Sequence, residues 1–247
     1  MTLNLLSIGI NYQGDYKLNG CHEDVYSLKK VLYDPRSDKG IYAQLLDKEG
    51  HSKPTLENIK AQIEAIYSKL KSGDTMIFTF SGHGGQIKDI SGDEKDGKDE
   101  CIYDCDLFPI KDDDLNKILV DGLPKGVTLF VLLDCCHSGT GLDLPWIYKP
   151  FQGEDTETGK TNSKKVYCIS GCRDDETSAD AWIDKKPQGA LTAMFCKVYE
   201  RLDRLEATIR WMDLITLIAY EVAAGGYDQK PLLSCSSLTG MESCFQL

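Results

Sequence analysis

The apolar positions of this 247-residue chain alternate between two kinds of pattern along its length. Short continuous apolar runs are typical of strands buried on both faces of a parallel sheet, and Val127–Leu133 is the clearest of them. Between these runs apolar residues recur at helical spacing. The patterns predict strands at Leu3–Ile10, Ile41–Leu46, Thr75–Phe80, Val127–Leu133, Val166–Ser170 and Pro231–Ser236, and helices at Cys21–Leu32, Thr55–Lys71, Asp113–Leu119, Ala190–Leu205 and Met212–Ala224.

Strands that alternate with helices predict an α/β fold, a three-layer α/β/α sandwich around a mostly parallel central sheet. A stretch rich in Gly, Thr and charged residues, 148–165, interrupts the pattern and is typical of an exposed linker. The block that follows it, 166–247, has too few strands to fold by itself. We therefore expect residues 1–247 to form a single domain, in which residues 166–247 extend the sheet begun by residues 1–147.

The charge balance restricts the classes of partner. The chain has 28 basic and 39 acidic residues, and its net charge of −11 repels phosphates while it attracts basic substrates. The longest apolar runs, such as Leu214–Tyr220, are far shorter than the ~20 residues of a membrane span. The N-terminal segment, residues 1–10, lacks the basic region and cleavage site of a secretory signal. We expect a soluble, cytoplasmic monomer that binds neither nucleic acid nor membrane.

Ten cysteines raise the possibility of disulfides or of a zinc site. None form a CxxC pair, and the pairs Cys101/Cys105 and Cys168/Cys172 lie in or beside strand-like runs. Four residues along a strand span ~13 Å, which is too far for two ligands of one metal ion. We expect reduced and mostly buried thiols, of which one can be reactive.

Two predicted strands end in unusual polar sequences. One runs into SGHGG, which contains His83, and the other into DCCHSG, which contains Cys136. In open α/β sheets, sites gather at the carboxyl ends of strands. A histidine beside a cysteine there can form a pair of base and thiolate nucleophile. The alternative is that both are unrelated loop residues, but their place at Gly-flanked ends of apolar strands favours catalysis.

These motifs, with LNGCHEDV, GDEKDGKDE, SGCRDDETSADA and GGYDQKPLLSCSS elsewhere in the chain, resemble those of the metacaspases. Metacaspases are caspase-like cysteine peptidases with the caspase–hemoglobinase fold. The resemblance implies a large-subunit-like region at 1–147 and a small-subunit-like region at 166–247. The chain departs from the family's pattern in two ways: it has no Pro/Gln-rich segment before the first strand, and its linker is short. The chain therefore resembles a first-type enzyme without a prodomain, or a prokaryotic relative.

The resemblance implies that Cys136 is the nucleophile. Cys135 lies next to it, but alternation along a strand turns the Cys135 side chain the opposite way. A third candidate, Cys21, sits in the family's GCxxD motif. We assign His137 a structural role, because it is adjacent to the nucleophile and points elsewhere.

The same resemblance implies that His83 is the general base and that peptide cleavage proceeds by acyl transfer. The backbone N–H groups of Gly84 and Cys136 would hold the oxyanion.

Specificity can be argued from the residues that precede the two candidates. Asp134 is two residues before Cys136 and Ser81 is two before His83, so each shares a face with its catalytic neighbour if the strands continue. A carboxylate there suits an Arg or Lys side chain of a protein or peptide substrate. The resemblance adds Asp24 as a second acid. The alternatives are that Asp134 only caps a turn, or that the enzyme is specific for Asp or Asn.

An acidic segment, residues 92–100, holds five carboxylates in nine positions, and further acids follow it. Oxygen ligands from several segments suit Ca²⁺, although the segment does not fit an EF-hand. A solvated acidic loop is the alternative on composition alone. The resemblance implies calcium as an activator, with a non-catalytic calcium-binding or scaffold relative as the other possibility. The implied ligands are Asp99 (or its neighbour Asp96), Asp112, Asp113 and Asp143.

Activation of such an enzyme can include self-cleavage after a basic residue. The predicted linker offers Lys160, Lys164 and Lys165 for this.

Overall fold

The computed structural model describes residues 2–33, 40–88, 97–136, 141–155, 163–172, 181–183 and 186–245. Its strands are β1 (Leu3–Gly9), β2 (Tyr42–Leu46), β3 (Thr75–Ser81), β4 (Gly84–Lys88), β5 (Lys98–Tyr103), β6 (Pro109–Lys111), β7 (Thr128–Asp134), β8 (Trp146–Lys149), β9 (Gly153–Asp155), β10 (Lys165–Cys172), β11 (Ala181–Ile183), β12 (Lys186–Gln188), β13 (Ile209–Arg210), β14 (Lys230–Cys235) and β15 (Cys244–Phe245). Its α-helices are α1 (Cys21–Leu32), α2 (Leu56–Tyr67), α3 (Asp112–Leu115), α4 (Ala190–Arg204), α5 (Trp211–Ala224) and α6 (Leu238–Met241).

The central sheet has eight strands in the order β2-β1-β3-β7-β10-β14-β8-β9. The five strands from β2 to β10 are parallel to one another, and the last three add antiparallel. The middle strands β3 and β7 are buried along almost their whole length, as their continuous apolar sequences require. The predicted mostly parallel sheet is therefore confirmed.

Helices cover both faces of this sheet. On one face, α2 packs through Ile59, Ile63 and Ile66, together with the segment from Ile110 to Leu123. On the other face, the core is formed by α1, α4 and α5, in which Phe195 and Trp211 pack around Phe130 of β7. These layers confirm the three-layer α/β/α sandwich. Within the described segments, no helix is both long and apolar enough to cross a membrane.

Several short elements differ from the prediction. The helix predicted over Asp113–Leu119 is a single α-turn, α3, followed by a π-helical turn at Asn116–Asp121. The helix predicted over Thr55–Lys71 ends at Tyr67, and Thr55 caps it by accepting a hydrogen bond from the Asn58 N–H.

The region predicted as an exposed linker, 148–165, includes the end of β8, all of β9 and the first residue of β10. Strands β8 and β9 have only four and three residues but extend the sheet edge, so the first part of this region is paired chain.

A second, three-stranded sheet of β4, β5 and β6 begins one residue after His83. Hairpin pairing of β4 with β5 joins Gly84 to Ile102, and β5 then pairs with β6. The sequence pattern did not reveal this sheet, because its strands are short and half-exposed. It connects the region around His83 with the acidic residues Asp99 and Asp112.

Candidate active site

The two strands that end in the unusual motifs are neighbours in the sheet. In the pairing of β3 with β7, Ser81 lies opposite Asp134. His83 and Cys136 follow two residues later on their own strands, at the carboxyl edge of the sheet. The chain is in close contact there, because a Cβ added to Gly84 would lie 2.0 Å from the Cys136 carbonyl oxygen. Glycine is required at position 84 to let the two motifs meet.

The orientation of the His83 ring is set by a backbone carbonyl. His83 Nε2 lies 2.7 Å from the Tyr16 carbonyl oxygen. Since a carbonyl oxygen can only accept, Nε2 carries the proton and Nδ1 is left with the lone pair. The sequence could not predict the contact with Tyr16, because any residue can supply a backbone carbonyl.

Tyr12 holds the backbone of His83 from below. Its hydroxyl accepts a hydrogen bond from the His83 N–H at 3.0 Å and donates to the Tyr103 carbonyl at 2.7 Å, and its ring lies 4.6 Å from the His83 ring. Burial raises the pKa of Tyr12 well above its usual range, so the hydroxyl remains protonated. Tyr12 adopts a φ of 50°, which is unusual for a residue with a side chain.

Asp47 anchors the loop that carries Tyr12. Its carboxylate accepts from the backbone N–H groups of Asn11 and Tyr12 at 2.8 and 2.7 Å, and its Oδ1 is 2.6 Å from His22 Nε2. Burial raises the pKa of Asp47, but the hydrogen bonds with His22 and with the two peptides outweigh this and hold the pKa below its usual range. The loop beneath His83 is thereby fixed at three points.

Asp24 lies fully buried on α1, close to Ser81. The helix packs tightly on the end of β1, where a Cβ on Gly9 would lie 2.5 Å from the Cys21 carbonyl oxygen. The Asp24 carboxylate accepts a 2.5 Å hydrogen bond from the Ser81 hydroxyl. It also accepts from the Gly189 N–H, which lies 2.9 Å from Oδ1 and 3.1 Å from Oδ2. Gly189 immediately precedes α4.

Asp134, which is also buried, is bonded to the first turn of α4. Its Oδ2 accepts from the Thr192 N–H at 2.8 Å, and its Oδ1 accepts from Gln229 Nε2 at 3.0 Å. A Cβ on Gly189 would lie 2.1 Å from Asp134 Oδ2 and 2.9 Å from Asp24 Oδ2, so the two carboxylates converge on this glycine. The structure thus brings Asp24, Ser81 and Asp134 together, and the N-terminus of α4 stabilises the negative charge of the two carboxylates.

Most of the other thiols are shielded from ionisation. Burial raises the pKa of Cys105 to about 11, of Cys168 to about 12 and of Cys235 to about 11, and raises that of Cys101 and Cys196 as well. Cys135 is buried in the core on the α2 face of the sheet, as the alternation predicted. The described cysteines are free thiols.

The four predicted calcium ligands do not form one preassembled site. Asp112 is buried, and burial together with the nearby Asp143 charge raises its pKa to about 8. Asp99 forms an ion pair with Lys111, and Asp113 is exposed. Among the described residues no group of three or more His, Cys, Asp or Glu side chains is arranged to hold a metal ion. Of the four, Asp112 and Asp143 interact with each other, while Asp99 is held by a lysine.

Two candidates for self-cleavage, Lys164 and Lys165, lie in bonded or paired chain, although Lys165 is exposed. Lys164 donates from Nζ to the carbonyls of Val120 and Asp121 at 2.5 and 2.8 Å, and Lys165 is the first residue of β10. Both belong to paired or bonded chain, contrary to the prediction of an open linker. Lys160, Asp96 and His137 lie outside the described residues.

Solved structures with the same architecture define the class of protein. A protein from Geobacter sulfurreducens superposes with a TM-score of 0.69 at 22% identity, over 98% of this chain and 97% of that one. The Drosophila initiator caspase Dronc superposes with a TM-score of 0.57 at 10% identity, over 98% of this chain and 81% of its own. The fold is that of the caspases.

Comparison of sequences narrows this class to one family. Residues 4–145 match the family model of the metacaspase, peptidase C14 domain. Metacaspase-1 of Yarrowia lipolytica is 33% identical over 97% of this chain, and Metacaspase-1 of Sclerotinia sclerotiorum is 33% identical over 94%. The chain belongs to the metacaspase family. It spans 63% and 65% of the length of these two relatives.

Proposed function

We propose that this chain is a cysteine endopeptidase that cleaves peptide bonds after Arg or Lys through a dyad of Cys136 and His83. The observation that carries the proposal is the alignment of β3 with β7, which brings both residues to one edge of the sheet. The close approach of Gly84 to the Cys136 carbonyl supports it, because the backbones of the two motifs meet one residue from His83. Membership of a peptidase family supports the same chemistry.

The geometry of His83 supports its role as the base. With Nε2 donating to the Tyr16 carbonyl, Nδ1 takes the proton of the Cys136 thiol. The thiolate attacks the scissile carbonyl, His83 then returns the proton to the leaving amine, and water hydrolyses the thioester. The Tyr16 carbonyl favours the imidazolium that forms between these steps. The Gly84 and Cys136 N–H groups are the proposed oxyanion donors.

Two buried carboxylates support specificity for a basic side chain. Asp24 and Asp134 converge on Gly189 beside the catalytic edge, and Ser81 shares their site. An Arg or Lys side chain gains charge-assisted hydrogen bonds there, whereas an Asp side chain is repelled. This favours the basic substrate over the Asp-specific alternative.

Calcium activation is proposed for the second acidic region. Asp112 and Asp143 face each other closely enough for one charge to raise the pKa of the other. A bound calcium ion supplies positive charge that removes this repulsion. The two carboxylates then hold the segment after β6 and the segment after the Cys136 loop together. This would order the surroundings of the cleft, since β4 and β5 continue directly from His83.

The test is a panel of fluorogenic peptides that differ only in Arg, Lys, Asp or Asn at the cleaved bond. Wild type is expected to cleave the Arg and Lys peptides, and Cys136→Ala and His83→Ala to lose this activity with an unchanged circular dichroism spectrum. Cys135→Ala and Cys21→Ala serve as matched thiol controls. Activity that survives Cys136→Ala but not one of the controls, or a preference for Asp, contradicts the proposal.

A further inference from the structure

Among the described residues, three buried polar side-chain atoms have no hydrogen-bond partner. They are Ser170 Oγ, Thr192 Oγ1 and Gln229 Oε1. Buried polar side-chain atoms in folded proteins are nearly always bonded, since an unbonded one loses its hydration without compensation. An unbonded atom beside a buried carboxylate indicates that a polar ligand is accepted there.

Two of the three belong to residues that hold Asp134. The Thr192 N–H donates to one carboxylate oxygen of Asp134 and Gln229 Nε2 to the other. Ser170 lies on β10 opposite Leu133, whose side chain packs on the α2 face of the sheet, so Ser170 is on the other face from Asp134 and takes no part in this site. Thr192 belongs to α4 and Gln229 precedes β14, so their contacts with Asp134 exist only in the assembled fold.

Gln229 is the most informative of the three. Its side chain is only 9% exposed, and its nitrogen is 3.0 Å from Asp134 Oδ1. Because the amide nitrogen and oxygen share one carbon, the unbonded oxygen also lies beside the Asp134 carboxylate. Gly171 packs against this amide, where an added Cβ would lie 3.1 Å from Nε2. The Gln229 amide nitrogen thus holds the Asp134 carboxylate, and the amide oxygen is an unbonded acceptor.

We propose that Gln229 is a specificity-determining residue whose carbonyl oxygen accepts a hydrogen bond from a substrate guanidinium, so that the site of Asp24, Ser81 and Asp134 favours Arg over Lys. The proposal rests on the proposed function. A guanidinium presents five N–H donors in a rigid plane. Two carboxylates that bind along one edge of the guanidinium leave donors on its other edge for the Gln229 oxygen. An ammonium has three donors at one point and can be satisfied by the carboxylates alone.

The test compares kcat and KM on two peptides that differ only in Arg or Lys at the cleaved bond. Gln229→Leu is expected to lower kcat/KM for the Arg peptide about tenfold or more, mainly through KM, because a hydrogen bond to a charged group is lost. The Lys peptide is expected to lose less, so the Arg/Lys ratio falls. Gln229→Glu retains an acceptor oxygen but loses the Nε2 donor to Asp134 and adds a like charge beside it. Activity on both peptides is therefore expected to fall, while the Arg/Lys ratio is kept.

Gln188→Leu is the matched control. Gln188 is also 9% exposed, but its amide donates to Ser27 Oγ at 2.6 Å, so this variant should leave the ratio unchanged. Equal losses for both peptides in Gln229→Leu, or a ratio that falls equally in Gln229→Glu, overturn the proposal. If Gln229→Leu does not fold, as judged by its melting curve, Gln229→Glu decides by whether the ratio is kept. A wild type that cleaves neither peptide overturns the proposed function and this inference with it.

Discussion

Two groups of buried acids stand close to the catalytic edge, and their surroundings differ. Asp24 and Asp134 accept hydrogen bonds from backbone N–H groups, a hydroxyl and an amide. In the other group, Asp99 is paired with Lys111, while Asp112 is set against the charges of Asp143 and Glu100. Both regions bury carboxylates that accept from backbone N–H groups, and Asp112 accepts from those of Glu100 and Asp113. The first region adds a hydroxyl and an amide to these donors, whereas the second adds charged neighbours.

The difference separates two kinds of site. Uncharged donors stabilise a carboxylate without neutralising it, so a pocket built in this way retains its charge for a cationic substrate. Neighbouring carboxylates repel each other, so they favour any partner that neutralises one of them, whether a proton, a lysine or a metal ion. The first arrangement suits recognition and the second suits control.

The largest effect is expected where charge is removed from the first region. Asp134→Asn keeps an oxygen that can accept from the Thr192 N–H but lacks the negative charge. Loss of one partner of a buried charge pair costs about 2–5 kcal/mol, so kcat/KM for Arg and Lys peptides should fall roughly 30-fold to several thousand-fold. Steady-state kinetics on the two peptides measure this change.

Asp104→Asn provides the control for this substitution. Asp104 is equally buried, lies between β5 and β6, and accepts from the N–H groups of Leu56, Asp106 and Phe108. It should leave kcat/KM unchanged. Wild-type kinetics in Asp134→Asn would mean that Asp134 only caps α4, and the distinction between the two regions would then fail.

A smaller effect is expected when the second region loses a ligand. Asp112→Asn should move the dependence of activity on free calcium to at least tenfold higher concentration, starting from a wild-type range of micromolar to millimolar. Asp114→Asn, an exposed neighbour on the same turn, should leave the curve in place. Full wild-type activity in chelator, or the same curve for both variants, would remove calcium control from this region.

Much of the catalytic edge could be predicted because it depends on strand order. Apolar runs marked β3 and β7, and the convergence of parallel strands at their carboxyl ends brought His83 and Cys136 to one edge. The family resemblance added Asp24. These expectations required only local patterns and the direction of the strands.

Other parts could not be predicted, because they depend on contacts between distant segments. The Tyr16 carbonyl carries no signature in the sequence, and Gln229 reaches Asp134 across 95 positions of chain. Strands β8 and β9 have only four and three residues, too few for their pattern to stand out from a linker. The opposition of Asp112 and Asp143 likewise arises only when the segment after β6 meets the segment that follows Cys136.

The smallest expected effect concerns stability rather than activity. In metal-free protein the pKa of Asp112 is raised by burial and by Asp143, from 3.8 to about 8. The folded state therefore holds a proton that the unfolded chain releases. This stabilisation is complete below about pH 4 and is lost as pH rises through about 8.

Asp112→Asn has no such proton to lose. In chelator, the difference in unfolding free energy between variant and wild type should shift in the variant's favour by about 1–2 kcal/mol from pH 5 to pH 9, once solvent screening is allowed for. Urea unfolding at the two pH values measures this shift, with Asp114→Asn expected to follow the wild type. Parallel pH profiles for wild type and Asp112→Asn would show that Asp112 is ionised in the folded protein, and the second region would then be no less able than the first to keep its charge.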